Sequence, residues 1–137
     1  MKKSRVDRAL ANHKRGFNCA QAVACAYCDL VGMEEETVFR AAEAFGAGMG
    51  GMDATCGAIS GAVMLAGLKN SGGDPGRPVT KGGSYMLSRK IVKGFADKNG
   101  SIVCKELKGL GTGCPLRSCD GCIEDAAVLA EEILFAE

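Results

Sequence analysis

Tryptophan is absent from the 137-residue chain, and histidine occurs once, at His13. A histidine-rich zinc site or a cysteine–histidine catalytic pair therefore has almost no material to be built from. Neither sign of charge dominates. The 17 Lys and Arg residues face 16 Asp and Glu, a formal net charge of +1, so the composition gives no footprint for nucleic acid or an anionic membrane. No nearly uncharged run reaches the ~20 residues that a membrane span needs. The basic patch within Met1 to Arg15 is not followed by an apolar core of signal-peptide length. The expected setting is cytoplasmic. Sustained period-two alternation is missing as well, which leaves no candidate strand. A chain of this length closes a single core, so one helical domain is expected over residues 1–137.

What the chain has in quantity is glycine and cysteine, 20 and 8 residues respectively. In a reducing compartment eight cysteines point to redox work, metal ligation or buried thiols rather than a disulfide framework. The stretch from Asp53 to Gly67 organises the rest. It follows the run Gly46-Ala47-Gly48-Met49-Gly50-Gly51, too flexible for a helix interior, and is then apolar on every side. This predicts a central helix. Gly57 and Gly61, four apart on one face beside Ala58 and Ala62, leave nothing to hold a neighbouring helix away. They permit close packing within the chain as readily as between chains, so a homo-dimer is compatible with them. Cys56 falls in the first turn, with Asp53 or Thr55 as cap, where free N–H groups and the helix dipole favour a thiolate.

The other helices read off in order. Val6, Ala9, Leu10 and His13 form one stripe of a short helix, ending in a half-buried histidine. Asn18-Cys19-Ala20-Gln21 has the form of a capping box and opens a second helix that runs to the stop at Gly32. Cys25 and Cys28, inside it, are read as small core residues. Glu34, Glu35 and Glu36 load the start of a third helix, striped by Val38, Ala41, Ala42 and Phe45. Gly46-x-Gly48-x-Gly50 imitates a dinucleotide fingerprint but lacks the preceding strand; its expected use is to wrap the start of the Cys56 helix. After a surface loop from Asn70 to Pro78, a fifth helix turns Leu87, Ile91 and Phe95 inward and Arg89, Lys90, Lys93 and Lys98 outward. Ser101 caps a short turn carrying Cys104. Asp120 caps the last helix, with Ile123, Ala126, Ala127, Ala130, Ile133 and Leu134 as its stripe and Glu124, Asp125, Glu131 and Glu132 on the wet face. The fold class is all-α, a bundle of five or six helices with a glycine-rich loop before the central one.

Cys19, Cys56, Cys104 and Cys122 each fall in the first turn of an expected helix, and the other four cysteines do not. Helix starts stabilise either a reactive thiolate or a thiolate bonded to a metal. Asn18-Cys19-Ala20-Gln21, Cys56-Gly57-Ala58-Ile59-Ser60-Gly61 with its CGAxxG core, Cys104-Lys105-Glu106-Leu107 and Cys122 at the terminal helix together resemble the C_GCAxxG_C_C family. The resemblance runs over nearly the whole chain. It implies a small helical protein whose shared cysteines, Cys19, Cys56, Cys104 and Cys122, are redox-active.

Three readings stay open. In the first, the protein is a thiol-disulfide oxidoreductase or electron carrier: Cys56 attacks an oxidised partner, a protein or a small thiol compound, and Cys19, Cys104 or Cys122 resolves the mixed disulfide. Cys119-Asp120-Gly121-Cys122 is the one CxxC at a helix start and competes as the redox pair. In the second, Cys19, Cys56, Cys104 and Cys122 hold a zinc ion or an iron-sulfur cluster, although spacings of 37, 48 and 18 residues match no zinc ribbon or ferredoxin run. Cys114-x4-Cys119-x2-Cys122 is a further ligand candidate. In the third, the thiols are inert core of a structural bundle.

Overall fold

The computed structural model describes residues 3–136. Among them seven helices follow one another: α1 (Val6–Lys14), α2 (Cys19–Ala26), α3 (Glu35–Ala42), α4 (Gly57–Asn70), α5 (Lys81–Asn99), α6 (Cys104–Lys108) and α7 (Cys119–Leu134). The all-helical expectation holds, and the short turn foreseen around Cys104 is the five-residue α6. Among the described residues, β pairing is limited to a single antiparallel bridge between Thr55 and Val103. No described helix is long and apolar enough to cross a membrane.

The hub is α4. Its surface is apolar around most of its circumference, so covering one side alone would leave apolar area in water; α2, α5 and α7 pack against it instead. Ala58, Ile59, Ala62, Leu65 and Ala66 of α4 meet Ala22, Val23 and Ala26 of α2, Ile91 and Phe95 of α5, and Ile123, Ala126, Ala127 and Ala130 of α7 in one core. Small side chains at these positions let the axes approach closely. The closest approach is at Gly61, where a β-carbon would lie 2.6 Å from the Ala20 carbonyl oxygen. The glycine face of α4 is thus used within the chain. On the far side of α2 a second cluster of Ala20, Ala24, Cys25, Cys28, Val38 and Ala42 seats α3.

The helix boundaries depart from the sequence reading in four places, each for a local reason. The second helix stops at Ala26; a 3₁₀ turn from Cys28 to Val31 follows, and Gly32, left-handed at φ +73°, ends that turn rather than the α-helix. The third helix stops at Ala42, with Phe45 in the next 3₁₀ turn, and Ala41 is exposed. The central helix is capped by neither Asp53 nor Thr55: Cys56 itself occupies the N-cap position, because Thr55 is held extended by its bridge to Val103. The last helix is capped by Ser118, whose hydroxyl accepts the Gly121 N–H at 3.0 Å, while Asp120 turns to His13.

Asp125 is a further correction. Expected on the wet face, it is 4 % exposed. A carboxylate is tolerated there because Arg117 Nε, Arg117 Nη2 and Asn99 Nδ2 donate to it at 3.1, 3.3 and 3.1 Å.

The capping box that opens α2 forms as expected. The Gln21 N–H donates to Asn18 Oδ1 at 2.9 Å and the Asn18 N–H to Gln21 Oε1 at 3.0 Å. Asn18 Nδ2 also donates to the Glu43 carbonyl at 2.8 Å, tying the start of α2 to the chain entering the glycine loop. Asn18→Ala removes both bonds of that side chain. The expected loss is about 1–2 kcal/mol of stability by urea denaturation, and Asn18→Ser, which keeps the cap but not the link to Glu43, should recover about half.

Candidate functional site

Two extended segments, each leading into a helix, meet at the Thr55–Val103 bridge. The Cys56 N–H donates to the Ile102 carbonyl at 2.7 Å, the Cys104 N–H to the Ala54 carbonyl at 2.9 Å and the Lys105 N–H to the Met52 carbonyl at 2.9 Å. These bonds set the starts of α4 and α6 side by side, and with them Cys56 and Cys104. Val103 is the N-cap of α6; Ser101, expected there, instead accepts the Val103 N–H at 3.0 Å and donates to the Glu106 carboxylate.

The glycine loop closes over this pair. Gly48, left-handed at φ +56°, lies so near Cys104 that a β-carbon would come within 2.5 Å of the Cys104 Cβ, and Ala47 beside it is also left-handed at φ +51°. The run also packs against α4, as expected, but this closest contact is with the start of α6. Gly57, the first residue of α4, lets α2 in from the other side: its missing β-carbon would stand 3.3 Å from both the Ala20 nitrogen and the Cys19 Cβ. The fourth wall is the start of α7, with Cys119 as its first residue and Cys122 one turn in.

Cys19, Cys56, Cys104 and Cys122 line one cavity of about 190 Å³, and Cys119 lines it with them. Four helices begin at this cavity on a cysteine: Cys19, Cys104 and Cys119 are first residues and Cys56 is an N-cap. His13, Asn18, Lys108 and Arg117 supply the polar part of the wall. Cys25 and Cys28 lie instead in the second hydrophobic cluster, and Cys114 is exposed on the loop before α7 and outside the cavity. The grouping of Cys114 with Cys119 and Cys122 is therefore not assembled. All eight cysteines are free thiols. Among the described residues, no group of three or more Cys, His, Asp or Glu side chains is arranged to hold a metal ion.

The thiols of the cavity are not equivalent. Cys56 is lowered to about 7, first by the hydrogen bond from the Cys122 side chain, which outweighs burial, and then by the backbone N–H groups of Ala58 and Ile59 and the charge of Lys108. Cys56 holds the N-cap position of α4, where the positive end of the helix favours the thiolate. Cys122 is pushed upward by the same contact: it keeps its own proton while Cys56 loses one, and burial and the Cys56 charge add to the effect. Burial pushes Cys19 up to about 12, with the charges of Cys56 and Cys119 reinforcing it. Cys104 is raised for the same first reason. The arrangement is one thiolate held beside a thiol that shares its proton, with further thiols kept protonated around them.

Two features of this wall escaped the sequence reading. Lys108 favours the thiolate forms of Cys19, Cys56 and Cys104 at once. Its spacing of four from Cys104, one helical turn, was the available signal. His13, read as a half-buried helix residue, is 32 % exposed and places Nδ1 2.8 Å from the Asp120 carboxylate, next in sequence to Cys119. No local pattern links residues 107 positions apart.

A family model described as "Putative redox-active protein (C_GCAxxG_C_C)" matches residues 17–133 of the chain. The label writes the central motif as GCAxxG, whereas here Cys56 precedes Gly57. No curated protein and no solved structure matches the chain.

Proposed function

The chain belongs to the C_GCAxxG_C_C family, and from that premise we propose that it is a thiol-disulfide exchange protein in which Cys56 is the nucleophile and Cys122 the resolving thiol. The observation that carries this reading is the one cavity that Cys56 and Cys122 line together, with Cys56 at the N-cap of α4.

The steps follow from that arrangement. The Cys56 thiolate attacks one sulfur of an incoming disulfide; a Cys56–S–S–R bond forms, the substrate S–S bond breaks, and the departing thiolate takes the electron pair. Cys56 is then uncharged. The two contributions from Cys56 that hold the proton on Cys122, its hydrogen bond and its negative charge, end with the first step. Cys122 can release that proton to the departing thiolate and attack the Cys56 sulfur. The second thiolate leaves, and the substrate has gained two electrons while Cys56 and Cys122 have become a disulfide. Cys19 and Cys104, held as thiols by burial, line the wall beside the pair. Cys25, buried on the outer face of α2 and raised to about 12, takes no part.

Alkylation by iodoacetamide, followed residue by residue across pH by peptide mass spectrometry, tests the assignment. The rate at Cys56 should rise to half its maximum near pH 7, below the ~8.5 of a free cysteine. In Cys122→Ala the donor is gone and burial remains, so the midpoint should move upward. A Cys56 that reacts no earlier than the other thiols, or a midpoint unmoved by Cys122→Ala, would remove the pair from its role.

A further inference from the structure

We propose that Cys119, which lies outside the family's four cysteines, is the thiol through which the site passes its disulfide to a bulky external dithiol. The inference rests on the pairing of Cys56 with Cys122 proposed above and extends it to the route by which the pair is regenerated.

Cys56 and Cys122 are 5 % and 3 % exposed, too enclosed for the backbone of a protein partner to bring its own sulfur into line with theirs. Cys119 lines the same cavity but is only half-buried. It is the first residue of α7, and Cys122 follows three positions later, the neighbour spacing on one helix face. Cys19 is also half-buried, yet it sits on α2, away from the turn that carries Cys122, and burial holds its proton. Cys114 is exposed but outside the cavity. Cys119 alone combines access from outside with a helical turn shared with Cys122.

The exchange balances without any added oxidant. Cys119 gives its proton to solvent at the cavity mouth and attacks the Cys122 sulfur of the Cys56–Cys122 disulfide. The Cys119–Cys122 bond forms, the Cys56–Cys122 bond breaks, and Cys56 departs with the electron pair as a thiolate. Cys56 is a good leaving group because its thiolate form is favoured at the N-cap of α4, lowered to about 7. The external dithiol then attacks the Cys119 sulfur. It loses two electrons and two protons to become a disulfide, and Cys119 and Cys122 return as thiols.

The test oxidises the full-length protein and its Cys119→Ser variant with one equivalent of oxidised glutathione, blocks free thiols with N-ethylmaleimide and maps the disulfides. The wild type should yield both Cys56–Cys122 and Cys119–Cys122, and the variant only the first. Re-reduction of the oxidised forms by reduced thioredoxin, a protein-sized dithiol, should be at least about tenfold slower in the variant. Re-reduction by dithiothreitol, which is small enough to reach the inner bond, should slow by less than about threefold. If the wild type holds Cys56–Cys122 alone and both forms are reduced by thioredoxin at the same rate, the relay is overturned and the inner pair stands. If the wild type holds neither bond, both readings fall.

Discussion

Cys56→Ser loses disulfide exchange at the cavity by on the order of a hundredfold and keeps its fold. Serine is among the best N-cap residues, so it suits the N-cap position that Cys56 holds. The start of α4 therefore survives, and helical content by circular dichroism should be unchanged. The chemistry does not survive, since a serine hydroxyl is not ionised near neutral pH. At pH 7 roughly half of a thiol lowered to about 7 is thiolate, against about one part in 10⁵ for a thiol such as Cys19 at about 12. The more basic sulfur is intrinsically the better nucleophile and recovers about two powers of ten, which leaves the stated loss. The measurement is the rate of oxidised glutathione consumption in a background where Cys114 and Cys119 are serine, so that thiols with direct access to solvent do not contribute. Cys122→Ser in the same background should stop one step later, with glutathione trapped on Cys56. Undiminished exchange in Cys56→Ser, or glutathione accumulating on Cys19 or Cys104, would reassign the nucleophile.

Gly61→Ala and Gly67→Ala, the same change two turns apart in α4, should move stability in opposite directions. At Gly61 the new β-carbon would lie 2.6 Å from the Ala20 carbonyl oxygen, 3.2 Å from its Cα and 3.3 Å from its carbonyl carbon. All three are backbone atoms, so no side chain can swing away and α2 as a whole must shift. Overpacking of this kind costs about 1–3 kcal/mol, against about 1 kcal/mol gained from the better helix propensity of alanine. At Gly67 nothing lies within 4 Å of the new atom, and only the gain remains. Thermal melts should thus show Gly67→Ala up and Gly61→Ala down by several degrees, at roughly 3–5 °C per kcal/mol for a chain of this size. The first variant has a second consequence. Ala20 follows Cys19, and displacing it moves one wall of the cavity, so the Cys56 alkylation midpoint should shift in Gly61→Ala and stay in Gly67→Ala. Equal melting temperatures for the two variants would show that α2 and α4 do not approach as closely as described.

Much of the bundle was legible in advance because helices announce themselves locally. The stripe of Ile91 and Phe95, the capping box at Asn18 and the apolar circumference of α4 each follow from residues within a few turns of one another, and each stands where the periodicity put it. The misreadings cluster where a distant partner decides. Cys56 is an N-cap because Val103 holds Thr55 extended, and a two-residue bridge leaves no alternating pattern to find. Asp125 is buried because Arg117 and Asn99 come to meet it. Asp120 serves His13 instead of its own helix.

The cysteines divide along the same line. That Cys19, Cys56 and Cys104 open helices could be read from capping residues and glycine breaks, since dipoles and free N–H groups are properties of a single helix end; the last helix opens on Cys119, which the sequence reading had excluded, with Cys122 one turn in. Cys56 was the expected thiolate, but which of Cys19, Cys104 and Cys122 faces it could not be read. Burial raises Cys19 to about 12, whereas Cys56 is lowered to about 7. The first cause at Cys56 is Cys122, 66 residues away in sequence. Sequence determined an all-helical chain with cysteines at its helix starts, because those depend on interactions a few residues long. Only the tertiary structure decided that five of the sulfurs share one enclosure and which of them keep their protons around Cys56, because desolvation depends on what the rest of the chain brings alongside.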